Sequence, residues 1–120
     1  ILSRVGLTDV AEITVGTLPT GTARLVELAR ALATKPKVLL LDEASSGLTE
    51  EETIAVGELL KQLVAEDDLA VLLVEHDLSF VMNTCSRIHV LDFGKIIAVG
   101  TPEEIQNDKA VRAAYLGTGS

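Results

Sequence analysis

Tryptophan is absent from this sequence, and the only aromatic residues are Tyr115, Phe80 and Phe93. A core built from it must be aliphatic. Cys85 is the only cysteine, so no intrachain disulfide can form, and its apolar neighbours are those of a core thiol. A reducing compartment is expected. Lysine and arginine form no run to oppose the acids at Glu50-Glu51-Glu52, Glu66-Asp67-Asp68 and Glu103-Glu104, and the net charge is -8. A duplex-binding surface, whose affinity comes from neutralising phosphates, is therefore not expected, and no nucleic-acid partner is assigned. The longest apolar stretch, Leu69 to Val74, falls far short of the ~20 residues of a membrane span. No charged leader precedes an apolar core, so no signal peptide is expected, and work at a membrane would run through partners. The first residue, Ile1, is not methionine, which suggests a piece of something longer.

What is present suits one globular domain: 120 residues, 48 % of them hydrophobic and 23 % charged. The prolines at 19, 36 and 102 fall between periodic segments. From Ala23 to Ala33, Leu25, Leu28, Ala29, Leu32 and Ala33 share one face and Arg24, Glu27 and Arg30 the other, which predicts an amphipathic helix. Lys37 to Leu41 predicts a strand buried on both faces beneath helices. Thr49-Glu50-Glu51-Glu52 is a capping box for a helix to about Ala65, with Val56, Leu59, Leu60, Leu63 and Val64 as its buried stripe. Leu69 to Val74 predicts a second fully apolar strand, and Asp77 caps a short helix to about Thr84.

Residues 87–100 predict two strands around a tight turn at Asp92 to Lys95, with Gly94 supplying positive φ. Thr101-Pro102-Glu103-Glu104 is a second capping box with proline at the first helical position. Two short helices end the chain, and Gly117 to Ser120 are expected to fray. Strands alternating with helices give an α/β fold, a mostly parallel sheet with the last two strands as a hairpin at its margin. Ligands in such sheets bind beyond the carboxyl ends of the strands, where Asp42-Glu43 and Glu75-His76 both fall.

Two acids ending a strand can be an ordinary turn, or Asp42 can hold a hydrated Mg²⁺ while Glu43 polarises a water. A lone histidine is usually surface or core, but His76 lies just past the second strand, within reach of whatever the acids hold. His89, mid-strand and facing away from Ile88 and Val90, has no assigned role. Thr20, Gly21 and Thr22 open a helix whose free amides and dipole suit an anion, although a simple junction with a threonine cap is also possible.

Together these segments resemble the ATP-binding subunits of ABC transporters over nearly the whole chain. By that resemblance Leu18 to Thr22 corresponds to the signature segment, Ala23 to Ala33 to the signature helix and Val38 to Asp42 to the Walker B strand. Glu43 then corresponds to the catalytic glutamate, Ser45 to Thr49 to the D-loop and His76 to the switch histidine. Residues 75–82, 87–105 and the ending Ala114-Tyr115-Leu116-Gly117 are similar to the branched-chain amino acid importer branch. Three positions depart from the family pattern: Pro19 replaces the usual signature serine, Ala44 the proline after the catalytic glutamate, and Thr49 the aspartate that ends the D-loop.

The resemblance implies a partial P-loop NTPase fold and an energy-coupling ATPase that uses ATP and Mg²⁺. Asp42 would hold the metal through water, and Glu43 and His76 would be catalytic. Thr20, Gly21 and Thr22 would touch the phosphate bound by a second ATP-binding subunit in a head-to-tail dimer. Membrane-spanning permease subunits would be the other partners, with the protein cytoplasmic and peripheral to the membrane. No phosphate loop is found: Gly16 and Gly21 have the spacing, but Thr22-Ala23 follow where Lys-Ser/Thr is required. Residues 1–120 are therefore expected to be the carboxyl-terminal part of one such domain, inactive alone and associating through exposed strand edges. The alternatives are a DNA-repair ATPase of the same superfamily, for which neither heptads nor basic surface are present, and a non-enzymatic globular module.

Overall fold

Five residues on each of two aliphatic strands set the frame of the first part of the chain. Strand β1, Val38–Asp42, runs parallel to strand β2, Ala70–Val74, with Val38 opposite Ala70 and Asp42 opposite Val74. Parallel neighbours cannot be joined by a hairpin, so the connection is a crossover. Helix α2, Glu50–Glu66, supplies it. The computed structural model describes residue 4 and residues 6–116. They divide into two compact units, Ile1–Phe80 and Val81–Ser120.

In the first unit, 3-10 turns at Thr8–Val10 and Val15–Thr17 lead to helix α1, Thr20–Ala33. This helix starts three residues before the predicted Ala23, because Pro19 stands at its threshold with φ -58° and ψ 154° and its carbonyl accepts the Ala23 amide at 2.9 Å. The threonine cap is not found. Thr20 and Thr22 lie inside the first turn, and no side chain caps α1. The capping box on α2 is complete, with the Thr49 hydroxyl accepting the Glu52 amide at 3.1 Å and the Glu52 carboxylate accepting the Thr49 amide at 3.1 Å. Acids in that first turn also favour the positive end of the helix dipole.

Leu28 and Ala29 of α1, Leu39 of β1 and Val56, Leu59, Leu60 and Leu63 of α2 form one aliphatic core with Leu7, Leu69 and Phe80. Val64, predicted in the stripe, is 48 % exposed. Both strands were expected to be covered on two faces, and they are covered on one. Leu39 is buried at 4 % exposure, while its neighbour Leu40 is 70 % exposed and Leu72, opposite Leu40, is 61 % exposed. Val38 and Val74 join them on the bare face. Side chains alternate along a strand, and the core gathers α1 and α2 against the Leu39 face alone.

Helix α3, Leu78–Thr84, opens where the Asp77 carboxylate accepts the Phe80 amide at 3.1 Å, as predicted. In the second unit, β3, Ile88–Asp92, pairs antiparallel with β4, Lys95–Gly100, with a bulge at Val90/Leu91. Phe93 and Gly94 turn the chain with φ of 48° and 76°, the two left-handed residues that a tight hairpin requires. This hairpin forms its own two-stranded sheet and does not extend the parallel pair as expected. Helices α4, Pro102–Gln106, and α5, Lys109–Val111, follow, then a π-helical turn over Arg112–Leu116. Ile88, Val90, Ile105 and Val111 make the core of this unit, Cys85 packs against it, and the Tyr115 hydroxyl donates to the Leu91 carbonyl. Burial pushes the Cys85 thiol above its ordinary pKa. The predicted fraying of residues 117–120 lies outside the described residues. Among the described residues no helix is long and apolar enough to cross a membrane.

Core and bare face respond differently to substitution. Leu60→Ala should cost about 2–5 kcal/mol in urea denaturation, as a buried leucine does. Leu40→Lys should change stability by about 0.5 kcal/mol or less and should reduce association measured by light scattering; a strictly monomeric wild-type chain would contradict the second expectation. Acid should loosen the start of α4. The Thr101 amide donates to the Glu104 carboxylate at 3.0 Å and, with the Thr101 side chain and then Arg87 nearby, holds its pKa below the ordinary 4.5. That contribution is present above the unfolded value and lost as pH falls through the lower folded one. Protection of the Thr101 amide, taken relative to its intrinsic exchange rate at each pH, should fall below about pH 4.5, and unchanged protection down to about pH 3 would contradict the assignment.

Candidate functional site

The parallel register brings the carboxyl ends of two strands to the same end of the sheet. Asp42 lies opposite Val74, and the ladder runs one step further, the Glu43 amide donating to the Val74 carbonyl at 2.8 Å. Glu43 therefore leaves β1 beside the residues that leave β2. It does so in the left-handed region, at φ 53°, which costs an ordinary L-residue roughly 1–2 kcal/mol. Its carboxylate comes within 3.5 Å of His76 Nδ1, with both side chains largely exposed. An exposed pair of this kind adds little to stability. Its chemical value is that a base and an imidazole face the same small volume of solvent, close enough for one water or one phosphate oxygen to touch both.

Asp42 is exposed at the strand end, beside this pair in sequence. Among the described residues no three His, Cys, Asp or Glu side chains gather as a protein-only metal cage. A single exposed carboxylate suits Mg²⁺, which keeps several waters and takes its remaining oxygens from a nucleotide.

Glu75, in sequence one more strand-end acid, differs from its neighbours in the fold. Its side chain is fully buried. One carboxylate oxygen accepts the Ser45 amide at 2.9 Å and the other accepts the His76 amide at 3.2 Å. Nothing in the sequence distinguishes this acid from Asp42 or Glu43, because only the fold turns it inward.

Thr20 and Gly21 make their contacts elsewhere, and Thr22 follows them in the first turn of α1. A side chain at Gly21, which is buried, would bring its Cβ to 2.5 Å from the Glu52 carboxylate, and one at Gly47 would bring its Cβ to 2.8 Å from Thr20. The start of α1 thus lies against the turn after β1 and the start of α2. A carboxylate already stands beside its positive end.

Family models match at both ends of the chain: one described as ABC transporter over residues 1–46 and one described as branched-chain amino acid ATP-binding cassette transporter over residues 95–120. The high-affinity branched-chain amino acid transport ATP-binding protein LivG of Salmonella typhimurium is 41 % identical over 116 residues, covering 97 % of this chain and 46 % of LivG. BraF of Pseudomonas aeruginosa, described in the same words, shows the same identity and coverage. Among solved structures, MJ1267, an ATP-binding cassette of an ABC transporter, superposes with a TM-score of 0.85 at 32 % identity, covering 96 % of this chain and 47 % of MJ1267.

This chain is similar to ABC transporter ATP-binding proteins. It carries a partial P-loop NTPase fold and spans about half the length of the curated relatives it matches, the carboxyl-terminal half. The ABC character read from the order of its motifs, and the branched-chain character read from its last third, agree with these matches.

Gly21→Ala sets two effects against each other. Alanine favours the helix over glycine by up to about 1 kcal/mol, while displacing Glu52 from the capping box costs a similar amount. Urea denaturation should therefore show a net change of about 1 kcal/mol or less, with faster exchange of the Thr49 amide. A loss beyond about 3 kcal/mol would mean that Glu52 cannot move aside.

Proposed function

We propose that this chain is the carboxyl-terminal part of the ATP-hydrolysing, energy-coupling subunit of an ABC importer for branched-chain or related amino acids. The observation that carries the reading is the approach of Glu43 to His76 at the carboxyl ends of two parallel strands. Names borne by LivG and BraF support the class of solute. Glu43 acts as the base that takes a proton from the attacking water, and His76 holds that water and the γ-phosphate oxygen from the other side. Asp42 would be the residue to hold Mg²⁺, which when bound would supply charge neutralisation at the phosphates. Thr20, Gly21 and Thr22 present the start of α1 to the nucleotide of a second ATP-binding subunit, head to tail. The turn after β1 couples the two sites, and membrane-spanning permease subunits hold the pair at the cytoplasmic face.

The anion-binding part of this scheme is incomplete within these residues. Their sequence contains no G-x-x-x-x-G-K-[ST] segment to hold the β- and γ-phosphates. We infer that the 120-residue chain alone neither binds ATP tightly nor turns it over, and that the activity belongs to the longer parent. Isothermal titration with Mg-ATP should show no binding in the low micromolar range. Supplying the amino-terminal half of a relative in trans should restore turnover, and Glu43→Gln should then lower it by about 10²–10⁴-fold, the usual contribution of a positioned base. Steady turnover by the isolated chain, or a restored activity indifferent to Glu43→Gln, would sink the assignment.

A further inference from the structure

A fully buried carboxylate needs a reason to be where it is. Removing a charge from water is costly unless donors replace the water, and Glu75 has two, the amides of Ser45 and His76. Those amides belong to different loops. Ser45 lies in the turn that follows β1 and carries Glu43 at its start, a turn also closed by the Ser46 amide donating to the Glu43 carbonyl at 3.1 Å. His76 follows Glu75 in the segment after β2.

We propose that Glu75 is a positioning residue: its carboxylate fastens the turn after β1 to the backbone of His76, and so fixes the approach of Glu43 to the imidazole. Both loops then move as one body. A shift of the turn after β1 reaches His76 through the shared carboxylate without passing through either catalytic side chain, neither of which bonds Glu75 closely; His76 Nδ1 is 4.0 Å from it. The significance of the clamp rests on the reading of Glu43 and His76 as the hydrolytic pair, but its existence does not.

The test uses the chain without nucleotide. In the wild type, hydrogen exchange followed by NMR should show the Ser45 amide at least tenfold slower than the Gly47 amide in the same turn. Glu75→Gln should speed Ser45 exchange by at least tenfold while the Leu60 and Leu63 amides stay protected. A double-mutant cycle supplies a readout that simple packing would not move: His76→Ala should shift the Ser45 amide resonance in the wild-type background and leave it unmoved in the Glu75→Gln background. Wild-type Ser45 exchanging as fast as Gly47, or a folded Glu75→Gln chain with Ser45 exchange within twofold of wild type, would overturn the proposal. If Glu75→Gln unfolds, the wild-type comparison of Ser45 with Gly47 still decides it. Nucleotide enters none of these measurements, so failure of the ATPase reading would leave this result standing, and failure here would leave that reading intact.

Discussion

The in-register parallel pairing of β1 with β2 is the constraint on which the site depends. Strands joined by a crossover point the same way, so the residues that leave them emerge at one end of the sheet. Slipping the register by one residue would either carry Leu39 from the core to solvent or turn Glu75 outward, since side chains alternate. Leu39 in the core therefore fixes more than stability: the same register sets Glu43 against His76. The capping box at Thr49 serves the same end by starting α2 at a defined place after the turn, which limits how far the connecting residues can wander.

The bare face formed by Val38, Leu40, Leu72 and Val74 gives the sheet two unlike sides. Soluble chains seldom leave a contiguous apolar patch of this kind without a partner for it. Since the chain spans under half the length of LivG, the reading of these residues as part of a larger domain accounts for that face without a special device. The second unit has its own core of Ile88, Val90, Ile105 and Val111, and its hairpin likewise leaves Leu91, Phe93 and Ile96 exposed.

Local chemistry was the legible part of the sequence. Both capping boxes, the Asp77 cap, the hairpin turn at Phe93-Gly94 and the strand and helix order follow from residue type at short range, and all are found. What escaped depends on distant chain. Whether Leu40 and Leu72 are covered is decided by what lies across the sheet, and an apolar run reads the same on a bare face as on a buried one. The inward turn of Glu75 was illegible for the same reason. Adjacent acids at two strand ends look alike in sequence, and only the approach of the Ser45 amide separates the buried one from the exposed ones.

Glu43 stands at a left-handed backbone position, where glycine or asparagine would sit with less strain. Its exposed contact with His76 offsets little of that cost. A redesign guided by folding stability alone would favour exchanging it, and would thereby remove the carboxylate nearest the imidazole. If Glu43 is the base proposed above, thermostabilised versions of this chain are to be chosen with position 43 held fixed, since stability and the proposed chemistry then rank its replacement in opposite directions.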